Sequence, residues 1–214
     1  MNKKLISISL YGDSSKYIDG MIANAELISK IFPGWTMRVY CEASIFNIAP
    51  LVKLGCEVIL KPKSMIHSGM FWRFLAAWDD KAERVIFRDA DSRLNVKEAE
   101  AVKAWEKSGL DAHCMKDHPH HACLPISGGM WGIKCGVLPM HLFRDVLKRS
   151  RKNQKRVWDM EWLRDEVHPL IKNSLLRHSS VPSTWPSVPF PPHPEYEGFV
   201  GQQYDGEGNP IWPK

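Results

Sequence analysis

Residues 84–94 read RVIFRDADSRL. Val85, Ile86 and Phe87 form a short, continuous apolar run, the pattern of a strand buried on both faces. Directly behind it stand Asp89 and Asp91, two positions apart. In an extended backbone such residues project to the same side with Cα atoms about 6.6 Å apart, so both carboxylates are expected to face one point. Carboxylates that close repel, and one tends to keep its proton unless a cation resolves the conflict. Mg²⁺ and Mn²⁺ suit the task. They take hard oxygen ligands and leave positions open for waters and phosphate oxygens, so two aspartates and a diphosphate share one shell.

Working back from this triplet, residues 5–10 (LISISL) read as a strand. Between Tyr17 and Phe32, the residues Ile18, Met21, Ile22, Ala25, Ile28, Ile31 and Phe32 recur at helical spacing. Pro33 and Gly34 end that helix, and TMRVYC (36–41) gives a second strand. A short helix over 43–53, a strand at 56–60, a loop at 61–69, a helix at 70–80 and the strand 84–88 complete the series. Strict alternation predicts parallel strands joined by helical crossovers, an α/β fold whose ligands bind beyond the carboxyl ends of the strands. The triplet lies at such an end. Residues 1–95 therefore read as a nucleotide-binding half.

Downstream, VKEAEAVKAWEKSG (96–109) is a patterned helix closed by Gly109, and AHCMK (112–116) is a strand. Residues 117–136 are rich in His, Pro and Gly and read as loops and short strands bordering a site. Helices are expected over 139–150 and 158–167. Residues 96–181 form the acceptor-side half, and a proline-rich stretch within 182–214 wraps the surface. The chain reads as a single domain, 1–214.

A 214-residue chain with 44% hydrophobic content closes one sizeable core. The formal charge of +5 is modest and carries no aromatic-interleaved basic stripe, so no nucleic-acid partner is expected. The densest basic run, Lys148, Arg149, Arg151, Lys152, Lys155 and Arg156, reads as a solvated helix end. No stretch reaches the ~18 apolar residues of a spanning helix, which leaves at most peripheral membrane contact. Five scattered cysteines fit reduced thiols, and a cytoplasmic location is expected.

Residues 71–94, FWRFLAAWDDKAERVIFRDADSRL, resemble the central motif of GT-A-fold glycosyltransferases, above all the glycogenin and lipopolysaccharide galactosyltransferase group. There an arginine-bearing helix precedes a strand ending in D-x-D. The segment MKDHPHHACLPISGGMWG (115–132) is similar to stretches of bacterial and viral sugar-transferase-like proteins. The resemblance implies a GT-A, Rossmann-like single domain with a mixed, mainly parallel sheet flanked by helices. It implies a glycosyltransferase using a nucleotide-sugar donor, by preference a UDP-sugar, with Mn²⁺ or Mg²⁺ and a glycan or other hydroxyl acceptor. Asp89 and Asp91 then hold the metal, with His178 of LLRHSS as third ligand, and Arg73 contacts the donor. Leu10, Tyr11 and Gly12, ending the first strand, are placed at the base and ribose, with Tyr11 stacking on uracil. Gly128 and Gly129 stand where glycogenin-like proteins carry Asn-Gly, and belong to the donor site. Asp159 of VWDMEWL either caps its helix or lies beside the anomeric carbon. There it acts as a base in an inverting enzyme, or positions the sugar and stabilises positive charge in a retaining one; the resembling group is retaining.

Asp117 and His118 read as loop residues reaching the sugar hydroxyls or the acceptor, or as a solvated polar loop. The neighbouring histidines and cysteines lack the paired spacing of a zinc site. Gly198, Val200, Gly201 and Gln202 are expected to form a terminal turn over the donor. Two other classes share parts of the pattern: a non-catalytic nucleotide- or carbohydrate-binding module, and a Mg²⁺-dependent phosphohydrolase with D-x-D after a strand. In the latter the motif usually opens the chain, whereas here it begins at residue 89.

Overall fold

The computed structural model describes residues 2–45, 47–63, 67–152 and 155–211. The strands that sequence alternation predicts are present. Lys3–Leu10 (β1), Trp35–Glu42 (β2), Glu57–Lys61 (β3) and Ala82–Phe87 (β4) pair in parallel in the order β3-β2-β1-β4. Ala112–Lys116 (β5), Trp131–Lys134 (β6) and Leu175–Ser179 (β7) extend the sheet to seven strands, ordered β3-β2-β1-β4-β6-β5-β7. Only β6 runs antiparallel, to β4 on one side and β5 on the other. The carboxyl ends of β1, β2, β4 and β5 consequently share one edge.

Side chains alternate between two cores. Ile6, Ile8, Leu10 and Ile86 pack with Met21, Ala25 and Ile28 of helix α1 (Ser15–Ile31) and with Val102 and Trp105 of α3 (Val96–Ser108). On the other face Val85 and Phe87 meet an aromatic cluster of Phe71, Phe74, Trp131 and Trp162, whose rings, with that of Phe87, pack tilted or edge-on at centroid distances of 4.5–6.0 Å. Burying β4 on both faces is the physical content of the apolar run VIF. Helix α3 is capped at both ends as the sequence requires: Asn95 and Glu98 exchange side-chain-to-backbone bonds, and Gly109 takes φ 75°.

Three elements depart from expectation. The helix predicted over 70–80 is a 3₁₀ segment, Ser68–Trp78, buried from Ser68 through Ala77. Its backbone bonds are diverted to β1: the Arg73 N–H donates to Ser9 Oγ at 2.9 Å, and Ser7 Oγ donates to the Arg73 carbonyl at 2.8 Å. The helix predicted over 158–167 is regular only from Trp158 to Trp162 (α5), then widens into a π turn over Leu163–Val167. Pro169 follows, in the turn His168–Ile171, and its ring excludes a normal i→i−4 bond to Asp165. The helix predicted over 43–53 shrinks to Ala49–Lys53 (α2). Phe46 in that stretch, and residues 64–66 of the 61–69 loop, lie outside the described residues. Helix α4 runs Met140–Arg149. None of the described helices is long and apolar enough to cross a membrane.

Candidate active site

The D-x-D triplet is a turn, correcting the extended geometry predicted for it: the Ser92 N–H and Ser92 Oγ both donate to the Asp89 carbonyl, at 3.4 and 3.0 Å. The turn is braced from several directions. Asn24 of α1 donates to the Ser92 carbonyl at 2.8 Å and accepts the Leu94 N–H at 2.9 Å. The Tyr204 N–H donates to the Asp91 carbonyl at 2.8 Å, so the C-terminal segment closes on the turn. Just before it, Arg88 points inward to Glu98, 2.6 Å away and fully buried, and is unavailable to either aspartate.

Two cations hold the aspartates apart. Arg73 bridges Asp89 through Nη1 and Asp159 through Nη2, the second contact at 2.9 Å. Lys16, in the first turn of α1, lies 2.8 Å from Asp91. The Asp89 side chain is 48% exposed and open to a ligand, whereas that of Asp91 is 4% exposed. Burial, reinforced by Asp89, raises the Asp91 carboxyl above the usual carboxylate range against the pull of Lys16. Burial likewise raises Asp159, opposed by Arg73. For Arg73, burial works against the charge, but Asp89 and Asp159 overcome it and hold the guanidinium firmly protonated.

Gly128 and Gly129 form the floor under this cluster. A Cβ on Gly129 would overlap the Asp89 carboxylate, and one on Gly128 would overlap Asp159 Oδ2 and sit 2.7 Å from Arg73 Nη2. Only hydrogen side chains let the backbone pass so near three charged groups.

Above the floor opens a cavity of about 540 Å³, lined among others by Tyr11, Arg73, Asp89, Asp91, His118 and Asp159. Tyr11 has its hydroxyl raised to about 12 by burial, and its ring meets Trp72 edge-on. A second hollow, of about 540 Å³, adjoins it through Tyr11, Tyr17 and His67, and includes Gly12 and Glu42 at the ends of β1 and β2. The fold thus brings together Tyr11, Arg73, Asp89, Asp91, His118, Gly128, Gly129 and Asp159.

Three sequence candidates lie elsewhere. The Leu10 side chain faces the α1 core, because alternation along β1 turns it away from the cavity. Asp117 is spent on packing: one oxygen takes Lys97 (2.6 Å) and Ser180 Oγ, and the other accepts the Val200 N–H at 2.8 Å. His178 sits on β7, three strands from β4, 2% exposed, its Nδ1 2.8 Å from His113 Nε2. It does not reach the aspartates. Among the described residues no three His, Cys, Asp or Glu side chains gather as a metal cage. The terminal turn expected at 198–202 forms, with the Gln202 N–H donating to the Phe199 carbonyl at 3.1 Å, and Phe199 and Gly201 line the cavity. Sequence reading missed Lys16 and Phe199, and it took Arg156, which lines the cavity, for part of a solvated run. Lys16 and Asp91 are 75 positions apart with no periodic signal linking them.

No family model matches the chain, and no curated protein matches it. Solved structures do. The 4-diphosphocytidyl-2C-methyl-D-erythritol synthase of Anaerococcus prevotii is 13% identical, with 83% of this chain and 87% of that chain aligned and a TM-score of 0.53. The glucosyl-3-phosphoglycerate synthase of Mycobacterium tuberculosis, solved with Mn²⁺, UDP-glucose and phosphoglyceric acid, is 14% identical over 83% of this chain and 69% of that one, TM-score 0.54. The same enzyme with Mn²⁺, UDP and glucosyl-3-phosphoglycerate gives 13% identity over 91% and 73%, TM-score 0.54. The fold is of the GT-A type. In this GT-A domain the D-x-D turn, Arg73 and the Gly-Gly floor all stand where the central strands end and the loops diverge, the place where such open α/β sheets take ligands.

Proposed function

We propose that the protein is a metal-dependent glycosyltransferase that takes a nucleotide-diphosphate sugar, by preference a UDP-sugar. The observation that carries this reading is the convergence of Asp89, Asp91, Arg73 and Asp159 over the Gly128–Gly129 floor in one cavity. The likeness to enzymes solved with UDP-glucose and Mn²⁺ agrees with it.

Asp89 and Asp91 offer hard carboxylate oxygens at a cavity and would hold Mn²⁺ or Mg²⁺ there. A divalent ion held there acts as a Lewis acid for the departing diphosphate. The chain's own residues do the rest. Tyr11 and Gly12 border the hollow assigned to the nucleoside. Arg73, always charged and fixed by Ser7 and Ser9, orients Asp89 and Asp159 and stabilises negative charge growing on the leaving group. To Asp159, its carboxyl raised by burial, we assign a role beside the reacting carbon, as a base toward the acceptor hydroxyl or as a counter-charge to the sugar. The buried setting gives these charges more weight than water would.

The test is a panel of nucleotide sugars screened with Mn²⁺ for a raised melting temperature, followed by turnover of the stabilising donor. Asp91→Asn is expected to abolish metal-dependent hydrolysis of that donor while the protein stays folded. Absence of stabilisation by any nucleoside diphosphate overturns the reading, and stabilisation without turnover leaves a binding module.

A further inference from the structure

The remainder of the cavity lining differs in chemistry from the carboxylate cluster. Apart from Asp89, Asp91 and Asp159 it holds no carboxylate among the described residues; beside the hydroxyls of Ser9, Tyr11, Tyr17 and Ser127 and the amide of Gln203 it carries His118, His120, His121 and Arg156. Two of the ring nitrogens are committed. The His120 N–H donates to His118 Nδ1, and the Asp117 N–H donates to His121 Nδ1, both at 3.3 Å. A ring whose Nδ1 accepts carries its proton on Nε2, so His118 and His121 each present one N–H donor without a partner among the described residues. Phe199, stacked on His118 at 4.5 Å and 28°, holds that ring in place. Arg156 adds a guanidinium, and it has no carboxylate partner among the described residues. Lys116 fixes the histidine loop from below: its buried ammonium donates to the His121 carbonyl at 2.6 Å and to the Leu124 carbonyl.

The trio of Arg156 and the two Nε2–H groups offers only donors, one of them cationic. It matches an oxyanion, which only accepts. We propose that the acceptor carries a phosphate or carboxylate group, held by Arg156 and the Nε2–H groups of His118 and His121. This rests on the transferase reading and narrows its acceptor to an anionic hydroxyl compound. The guanidinium sets the preference for charge, and the two imidazoles, which line the same cavity as the carboxylate cluster, add directed N–H donors. The basic run that ends in Arg156 draws such a compound to the mouth from solution, an effect that salt weakens.

Calorimetric titration of the full chain, presaturated with UDP and Mn²⁺, separates the possibilities. The probes are glycerol 3-phosphate, glycerate and glycerol, which share a carbon skeleton and differ in charge. At least one charged probe is expected to bind tenfold or more tighter than glycerol, and the phosphate and carboxylate arms show which group fits. Arg156→Gln is expected to remove that advantage, with Arg156→Lys recovering part of it, at an unchanged melting temperature. Equal affinity for glycerol, no binding of either charged probe, or full anion binding by Arg156→Gln overturns the proposal. Failure of UDP with Mn²⁺ to stabilise the wild-type protein instead removes the transferase reading, and this inference with it.

Discussion

Arg73 Nη2 and Asp159 Oδ2 lie 2.9 Å apart across 86 positions of sequence, both buried, while the second nitrogen of the same guanidinium holds Asp89. One planar fork thereby ties the 3₁₀ segment, the D-x-D turn and helix α5 into a single charged unit. An ammonium is a point charge and makes no such fork.

Arg73→Met is expected to cost about 3 kcal/mol or more, because Asp159 is left buried without its counter-charge. Arg73→Lys is expected to fold better than the Met variant yet turn over on the order of a hundredfold more slowly than wild type, since one ammonium holds only one carboxylate in place. Urea midpoints and initial rates on the same preparations check both.

Gly129→Ala forces its methyl onto the Asp89 carboxylate. Stability is expected to drop by about 1–3 kcal/mol as the turn shifts to relieve the overlap. Stabilisation by UDP and Mn²⁺ is expected to disappear with it, read by melting curves with and without ligand. A Gly129→Ala protein that keeps the full ligand shift shows that the floor is not part of the site.

Asp117 anchors the C-terminal segment instead of lining the cavity. Asp117→Ala leaves Lys97 unpaired and the Val200 N–H without its acceptor, at an expected cost of about 3 kcal/mol. Hydrogen exchange at Val200 accelerates, while turnover per folded molecule, measured well below the melting temperature, falls far less than in Asp159→Asn. Equal losses in the two variants restore a direct catalytic role for Asp117.

The paired imidazoles of His113 and His178 make the fold acid-labile. Burial lowers His178 to about 4, and burial, then His178 and Arg88, push His113 well below its ordinary value. Between those values and about 6.5 the unfolded chain binds protons that the folded chain refuses. The contribution is complete above pH 6.5 and is lost as pH falls toward 4, worth about 3 kcal/mol for His178 alone. The stability gap between wild type and His178→Gln, followed by urea denaturation from pH 7.5 to 4, is expected to close over that window. A constant gap refutes this assignment.

Lys16 occupies the Asp91 carboxylate that the proposed metal needs. Lys16→Met removes a competing cation, so Mn²⁺ binding without nucleotide is expected to tighten several-fold in a direct titration. Weaker binding in the variant indicates that Lys16 holds Asp91 in its ligating position.

Much of this was legible in the sequence. The β-α-β alternation, the double burial of VIF, the Asn95–Glu98 cap and the Gly109 stop are local patterns, set by backbone period and short-range hydrogen bonds, and they determined the α/β class and the edge where the aspartates stand. The same locality explains the misses. Whether Asp117 or Asp159 faces the cavity depends on which distant backbone N–H or guanidinium claims its oxygens. The 3₁₀ form of residues 68–78 depends on two serines of β1 taking the Arg73 backbone bonds. His178 resembled a ligand in one dimension and was carried to β7 by the strand order. Residue type and spacing fix which chemistry is available; burial and long-range partners, which exist only once the sheet has assembled, fix which of those groups remain free to act.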